Sequence, residues 1–349
     1  MENNIKSLGI VYHYPCFDGA YAAINTYLYY KYFSRTKYNV SFYPFLNTWN
    51  QHDKLFHNSE HNKIIFLDVS ISVDDINVIN NNNNISLIII DHHESNINEY
   101  YNNISPYLHN VNIKTVFDTN NAHSACGLSL QYFKAKALKR FDIQQVNDVY
   151  NELLCKVNNY VEDNDTGNCV LTNTEEFRSG LGCCYNPIEA VTDFSCKSYE
   201  DKINNLCNVN VRFTIQKGEM SLKKYRKKCK NEITNRMIYL IQLNDKWKFL
   251  VCKTQNKQYR NYGCVILGKI SMRKGYLPIG GFVYKIGQDD YKVSMRTANK
   301  GMIDTSEIAK HFGGGGHKDA SSFILNGNDI KKYLVKEISI TNEMKSMNC

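Results

Sequence analysis

Apolar and polar positions in the first half of the chain alternate as they do in α/β domains. Three short apolar runs, at residues 8–12, 63–67 and 85–90, have the composition of buried strands and are separated by stretches with helical spacing. This strand–helix–strand order predicts a mainly parallel sheet with helices on both faces. We therefore expect an N-terminal α/β domain over residues 1–200.

The second half of the chain has a different texture, with short alternating strands. A polar, strongly helical stretch at residues 201–236 precedes it and is interpreted as a connector. We assign residues 237–345 to a smaller mixed α/β domain, expected to lie across a cleft from the first domain. The other predicted elements are a strand at 40–43, helices at about 20–33, 124–141 and 146–161, a helix start at Ser72, strands at 238–241, 249–252, 281–284 and 291–296, and one helix at about 305–312.

Acidic residues and histidines follow each of the three apolar runs. In a parallel sheet the carboxyl ends of the strands lie at one edge, which is where α/β proteins bind their ligands. A single histidine or aspartate at such a place is ordinarily structural, but its repetition at successive strand ends favours a site. The side chains that the pattern brings to this edge are His13, Asp18, Asp68, Asp91, His92 and His93.

Carboxylate oxygens and imidazole nitrogens are donors that Mn²⁺ accepts, and Mg²⁺ prefers the carboxylates. The strand-end groups, together with Asp163 or Asp165 from a further acidic cluster, could therefore coordinate one or two such ions. Two ions roughly 3.5–4 Å apart would activate a bridging water and hold a phosphoryl group for in-line attack. Such chemistry needs no covalent nucleophile.

A run of four glycines at residues 313–316 is the second chemical signal. One glycine after the helix predicted at 305–312 would serve as a helix C-cap, whereas four give a backbone that can aim several N–H groups at an anion. His317 follows the run, and Arg296, whose guanidinium can bind an anion bidentately, stands in a preceding strand. The pattern indicates a phosphate or carboxylate site, and a tight structural turn is the alternative.

Six segments of the chain resemble the motifs of the DHH phosphoesterase superfamily, in the group that has the DHH-associated C-terminal domain. Their order along the chain and their placement at strand ends carry the resemblance, which covers most of the chain. The segments are HYPCFDGAYAA (13–23), FLDVS (66–70), IDHH (90–93), YVEDND (160–165), VSMR (293–296) and FGGGGHKDAS (312–321).

The resemblance implies a Mn²⁺- or Mg²⁺-dependent phosphoesterase in which Asp68 is the candidate bridging ligand and Asp91 either binds metal or orients the imidazoles. It also implies that His93 faces the scissile phosphate or the leaving group. Many members carry two acids in the first motif where this chain has only Asp18, so one and two ions both stay open. The implied metal ligands are His13, Asp18, Asp68, His92 and one of Asp163 and Asp165. The implied phosphate-holding residues are Arg296, Gly313, Gly314, Gly315, Gly316 and His317.

The expected function is hydrolysis of phosphodiester or phosphomonoester bonds in short oligonucleotides or small nucleotides by a metal-activated water. One alternative is a small-molecule phosphatase acting on a bisphosphorylated nucleotide, polyphosphate or pyrophosphate, although the glycine signature differs from that of the pyrophosphatase subgroup. The others are a catalytically reduced nucleic-acid-binding module and, more remotely, editing of charged tRNA. The expected partners are short nucleic acids or phosphorylated nucleotides, and a homodimer is left open.

The composition of the chain bears on its charge, its cysteines and its expected location. The net charge of +8 is partly concentrated at residues 223–230, which form either a solvated helix face or a surface for a polyanion. The twelve cysteines include no Cys-x-x-Cys pair, which argues against a zinc finger and indicates reduced thiols. No apolar stretch reaches roughly 18 residues and the polar start does not resemble a secretory signal, so we expect a cytoplasmic protein without a membrane partner.

Overall fold

The structure is a computed structural model that describes residues 5–346 except 47–60, 72, 74, 81–84, 110 and 121. The side chains of residues 77, 78, 317 and 345 are likewise not described. Ser72, the predicted helix start, therefore lies outside the described residues. The chain divides into two compact units, Met1–Ser221 and Leu222–Cys349.

The first unit is built on β1 (Lys6–His13), β2 (Tyr38–Phe45), β3 (Lys63–Leu67), β4 (Ser86–Asp91) and β5 (Asn112–Phe117). These strands form one sheet in the order β2-β1-β3-β4-β5, in which every neighbouring pair is parallel. The three apolar runs of the sequence form β1, β3 and β4. The prediction of a parallel sheet is thereby confirmed, and its carboxyl edge lies where β1, β3 and β4 end.

The described helices of the first unit are α1 (Phe17–Tyr32), α2 (Asp75–Asn80), α3 (Glu94–Glu99), α4 (Ala125–Leu138), α5 (Ile143–Val149), α6 (Glu152–Asp165), α7 (Thr174–Cys184), α8 (Ile188–Thr192) and α9 (Tyr199–Cys207). A π-helical turn, Tyr100–Ile104, continues α3 and is followed by a short 3₁₀ turn, Ser105–Tyr107. The single helix predicted at about 146–161 is in fact two helices. Asn151 starts the second of them, because its side-chain oxygen accepts a hydrogen bond from Leu154 N and caps α6.

Side chains of the sheet alternate between two cores, and helices cover both. Ile10 and Tyr12 point into a core shared with α1, α4 and α6, whereas Val11 packs with α2 and the π-helical turn on the other face. Full burial of an aliphatic or aromatic side chain of this size contributes about 1.5–3 kcal/mol. The expectation of helices on both faces is confirmed, and the two cores fix the strand ends rigidly at one edge.

The second unit is built on β6 (Ile238–Leu243), β7 (Trp247–Lys253), β8 (Ile279–Lys285), β9 (Asp290–Thr297), β10 (Gly315–His317), β11 (Ala320–Asn326) and β12 (Leu334–Glu337). The order is β10-β11-β9-β8-β7-β6-β12, with β7 and β8 parallel and the other neighbours antiparallel. Its helices are α11 (Arg260–Arg273), α12 (Thr305–His311), α13 (Gly327–Tyr333) and α14 (Thr341–Ser346), while α10 (Val211–Thr234) contains the division between the units. The predicted mixed α/β character of this half is confirmed.

The sequence-based prediction of a single helix in the second half is wrong, because α11, α13 and α14 are present besides α12, and α11 is the longest of the three. Helix α11 joins β7 to β8 and was missed because two glycines lower the helix propensity of its sequence. These two glycines allow close packing on the sheet: a Cβ on Gly263 would lie 2.5 Å from the ring of Phe282 in β8, and one on Gly268 would lie 3.1 Å from Gly280 N of the same strand. Among the helices described here, none has the length and apolarity needed to cross a membrane.

Candidate metal centre

Potential metal ligands gather at the carboxyl edge of the parallel sheet. Within the described part of the chain, three groups have ligand atoms that lie within 4.8 Å of one another. The groups share members and so form one cluster, supplied by the ends of β1, β3 and β4, the start of α1 and the last residue of α6. They are His13, Cys16 and Asp68; Asp68, His92 and His93; and Asp18, His92 and Asp165.

Asp68 is the carboxylate around which the imidazoles lie. His13 Nδ1 is 3.0 Å from Oδ2. His93 Nδ1 is 3.3 Å and His92 Nε2 is 3.5 Å from Oδ1. Burial alone would raise the pKa of Asp68, but the three imidazoles outweigh burial and hold the pKa far below its usual range. The residue also has a φ of 61°, a left-handed conformation that costs a non-glycine residue about 1–3 kcal/mol.

The atoms around His92 fit a divalent cation. Its Nε2 lies 3.2 Å from Asp165 Oδ2 and 3.5 Å from Asp68 Oδ1. Among the described atoms, neither ring nitrogen of His92 nor Asp68 Oδ1 has a partner in hydrogen-bond geometry, although all three are buried. Burial lowers the pKa of His92, yet the two carboxylates raise it to about 11. Because buried polar atoms without partners are rare, and because this donor set is one that Mn²⁺ accepts, the residues fit such an ion.

Asp91 is engaged by its own neighbours in the chain. Its Oδ1 accepts hydrogen bonds from the backbone N–H groups of His92 and His93 at 2.7 and 2.9 Å and lies 3.0 Å from His93 Nδ1. Its Oδ2 accepts one from Asn96 Nδ2 at 2.8 Å. These contacts favour the orienting role over the ligand role. His93 is 43% exposed in its side chain, and the nearby carboxylate of Asp68 together with the hydrogen bond to Asp91 raises its pKa to about 10.

Asp18 lies at the amino end of α4 as well as in the cluster. Its carboxylate accepts hydrogen bonds from the Ser124 hydroxyl and from the N–H groups of Ala125 and Cys126. The first N–H groups of a helix have no intrahelical partner, so an anion is stabilised there. Burial raises the pKa of Asp18 to about 7, and two neighbouring carboxylates push it the same way. The helix start thus fixes the position of this acid.

The two acids that the sequence left open face different partners. Asp165 Oδ2 lies 3.2 Å from His92 Nε2, inside the cluster. Asp163 is absent from the ligand groups found among the described residues and instead accepts hydrogen bonds from the segment that follows α6. Its donors are Val170 N at 2.8 Å, Leu171 N at 3.0 Å and the Thr174 hydroxyl. The structure therefore brings Asp165, and not Asp163, to the imidazoles.

Three residues of this region were not predicted from the sequence. Cys16 belongs to a ligand group, and its place inside the first motif was a usable signal; burial raises the pKa of its thiol. Ser124 holds Asp18, and its position before an apolar helix is typical of an N-cap. Asn96 holds Asp91 from the first turns of α3, and no sequence pattern singles it out.

In the second unit the strand register places Arg296 and His317 in one row. His317 of β10 pairs with Ala320 of β11, and Ala320 pairs with Arg296 of β9. Since neighbouring strands lie about 4.8 Å apart, the two backbone positions are about 10 Å apart. The side chain of His317 is outside the description, so the row is established for the backbone only.

Three of the four glycines have a local structural reason. Gly313 follows α12 with a φ of 71°, as a helix C-cap does. A Cβ on Gly314 would lie 2.2 Å from a backbone oxygen of β11, and one on Gly316 would lie 2.6 Å from a backbone carbon of that strand. A Cβ on Gly315 would meet no described atom within 4 Å, and its φ is not in the left-handed region. Gly315 is therefore the glycine of the run that the described packing does not require.

A family of known proteins matches the first half of the chain. Residues 7–155 match the family described as "DHH family, N-terminal domain". No curated protein sequence matches the chain.

Solved structures similar to the chain include three of low sequence identity. An exopolyphosphatase-related protein from Bacteroides fragilis is 14% identical with a TM-score of 0.48, over 98% of this chain and 92% of that one. The pGpG-specific phosphodiesterase PggH from Vibrio cholerae is 11% identical with a TM-score of 0.43, over 98% and 99%. CDC45 from Entamoeba histolytica is 11% identical with a TM-score of 0.46, over 94% of each chain.

Proposed function

Because the chain belongs to the DHH family through its N-terminal domain, residues 7–155, we propose that it is a divalent-metal-dependent phosphoesterase. The observation that carries the proposal is the pair Asp68 and His92. These residues present a buried carboxylate oxygen and buried ring nitrogens without hydrogen-bond partners among the described atoms. Buried polar atoms nearly always have a partner, so these unpartnered atoms support a cation-binding site.

The cation would be held by residues at the ends of β1, β3, β4 and α6 and at the start of α1. Its donors would be His13, Asp18, Asp68, His92 and Asp165. When bound, a divalent cation polarises a phosphoryl oxygen and lowers the pKa of a water molecule. We propose Mn²⁺ as the ion, because imidazole nitrogens stand among the carboxylates and Mg²⁺ takes oxygen donors.

Within the tripeptide Asp91-His92-His93, Asp91 and His93 have separate proposed roles. Asp91 fixes the backbone of His92 and His93 through two N–H groups and holds the ring of His93 at Nδ1. The Nε2 atom of His93 is then the ring nitrogen that we propose faces the substrate. A proton held there can be donated to the leaving oxygen of a phosphoester, which is the ordinary role of a positioned histidine in such reactions.

We propose short oligonucleotides or small nucleotides as the substrate. Arg296 can bind a phosphate bidentately, and it shares a backbone row with His317. Gly315 supports the same assignment, because no described atom lies where its side chain would stand, which leaves room for a ligand to approach the backbone there.

The test is hydrolysis by the full chain with Mn²⁺ over defined-length RNA and DNA, dinucleotides, a 3′,5′-bisphosphorylated nucleotide and polyphosphate. We expect release of mononucleotides or phosphate that EDTA abolishes and that Asp68→Asn removes. Asp142→Asn is the matched control, because Asp142 caps α5 by accepting from Gln145 N and an asparagine oxygen caps as well. Oligonucleotide binding without turnover would identify a binding module instead, and turnover of polyphosphate alone would identify a small-molecule phosphatase.

A further inference from the structure

An aromatic cluster adjoins the cluster of acids and histidines at the end of β5. The parallel register of β4 and β5 pairs Asp91 with Phe117, the last residue of each strand. Paired residues of neighbouring strands project on the same face of a sheet, with the strands about 4.8 Å apart. Phe117 packs against the core on the face covered by α2 and the π-helical turn. Its ring is therefore the lateral neighbour of the carboxylate that positions His92 and His93.

Two tyrosines of the π-helical turn complete this cluster. Tyr100 is buried, and its ring centroid lies 5.4 Å from that of Phe117. Tyr101 lies 5.9 Å from Phe117 and 5.4 Å from Tyr100, with interplanar angles of 81° and 73°. Both contacts of Tyr101 are T-shaped, so the rings of Phe117 and Tyr100 are not stacked in parallel on the Tyr101 ring. Tyr101 is nevertheless 56% exposed, which leaves a large rigid ring partly open to solvent next to Phe117 at the end of β5.

The backbone around these rings is held in place. Directly after Phe117, the carboxylate of Asp118 accepts hydrogen bonds from the N–H groups of Asn120, Ala122 and His123 at 2.6–2.8 Å. Before the tyrosines, Asn96 on α3 is tied to Asp91. An exposed ring on a fixed support loses little conformational entropy when a flat ligand stacks on it.

The chemistry that fits such a ring is a nucleobase, because every base has a π-face that can stack on an aromatic side chain. Inorganic phosphate cannot stack on the phenol ring of Tyr101. A nucleotide whose phosphate lies near His93 also carries a base, attached through its sugar, that can. We propose that Tyr101, supported by Phe117 and Tyr100, is a stacking platform for a base of the substrate. The proposal rests on the proposed phosphoesterase function and narrows its substrates to nucleoside phosphates and short oligonucleotides.

The direct test measures binding of 2-aminopurine riboside 5′-phosphate through the quenching of its fluorescence. Tyr101→Leu removes the π-face but keeps an apolar cover over Phe117, and we expect it to weaken binding about 10-fold or more. Tyr101→Phe should restore binding to within about twofold of the unmodified protein, because stacking needs the ring and not the hydroxyl. Tyr107→Leu is the matched control: Tyr107 is 59% exposed and has no ring contact among the described residues. Equal affinity of the Tyr101→Leu and Tyr107→Leu proteins would overturn the proposal.

A competition experiment needs no variant. Ribose 5-phosphate, which lacks the base, should displace the 2-aminopurine probe only at about 10-fold or more higher concentration than adenosine 5′-phosphate. Equal displacement, or no quenching by the unmodified protein, would overturn the platform.

Hydrolysis separates failure of the platform from failure of the proposed function. If the unmodified protein turns over dinucleotides and Tyr101→Leu leaves KM unchanged, the platform is wrong and the phosphoesterase stands. If no phosphoester is hydrolysed at all, the proposed function is wrong.

Discussion

The carboxyl edge of the parallel sheet and the glycine run before β11 both stood out in the sequence, yet they are built differently. At the sheet edge, side chains from separate elements converge, and buried atoms of Asp68 and His92 have no hydrogen-bond partner among the described residues. In the glycine run, a helix cap and close strand packing account for Gly313, Gly314 and Gly316.

The difference shows that two motifs that are equally prominent in the sequence can be unequally strong evidence for a function. Convergence of donors has no structural purpose of its own, because a buried acid among imidazoles would be replaced at little cost by apolar residues. Crowding against β11 is reason enough for a glycine. The first region therefore supports chemistry directly, whereas in the second only Gly315 calls for a functional explanation.

The largest effect is expected at Asp68. Asp68→Asn removes one anionic oxygen from the centre of the cluster, and because changes at outer partners of a metal site already cost about 10–100-fold, we expect a loss of Mn²⁺ affinity above about 100-fold. The measurement is the rise in melting temperature with Mn²⁺, which for the unmodified protein should correspond to about 2.7 kcal/mol at 100 times Kd.

Asp163→Asn is the control for Asp68→Asn. Asp163 is buried, but its carboxylate binds Val170, Leu171 and Thr174 outside the ligand groups. We expect this variant to melt at a lower temperature and still respond to Mn²⁺. The opposite pattern, with the response lost at Asp163 and kept at Asp68, would show that the centre has been placed wrongly.

An intermediate effect is expected at Asp91. In Asp91→Asn one oxygen becomes an amide that can no longer accept from both Asn96 and the backbone, so the DHH turn should loosen around His92 and His93. We expect Mn²⁺ affinity and kcat to fall by about 10–100-fold. Isothermal titration with Mn²⁺ together with steady-state kinetics measures both. An effect as large as that of Asp68→Asn would make Asp91 a ligand rather than an orienting residue.

The sequence predicted the parallel sheet and its strand ends well, because apolar runs flanked by polar groups report burial directly. It could not separate Asp163 from Asp165. Both lie on α6, where two residues are about 200° apart around the axis, so they point to nearly opposite sides. Which side meets the imidazoles depends on how α6 packs against α1 and α4, and that is a property of the tertiary fold. Asn96 was missed for a different reason: it lies only five residues after Asp91, but its contact depends on the backbone conformation between β4 and α3, which no pattern in the sequence indicates.

In the second unit the largest effect should be on stability. Gly314→Ala places a Cβ 2.2 Å from a backbone oxygen of β11, so β10 and β11 must move apart. Overpacking of this kind costs about 1–3 kcal/mol. Chemical denaturation of the full chain, followed through the transition of the second unit, measures the loss. Unchanged stability would mean that this glycine is not explained by packing, and the contrast with the sheet edge would weaken.

The smallest expected effect belongs to Gly315 and bears most directly on the contrast. Gly315→Ala adds a methyl group where no described atom lies within 4 Å, and the φ of this residue suits alanine, so stability should stay within about 0.5 kcal/mol. If the backbone here approaches a phosphate, the added methyl group stands in the way, and KM for a dinucleotide should rise several-fold. The kcat and the Mn²⁺ response depend on the first unit and should stay unchanged. Gly314→Ala cannot give that separation, because it disturbs the strand itself. Unchanged kinetics in a fully stable Gly315→Ala protein would leave the whole run as a structural turn, and Arg296 would remain as the proposed phosphate-binding residue of the second unit.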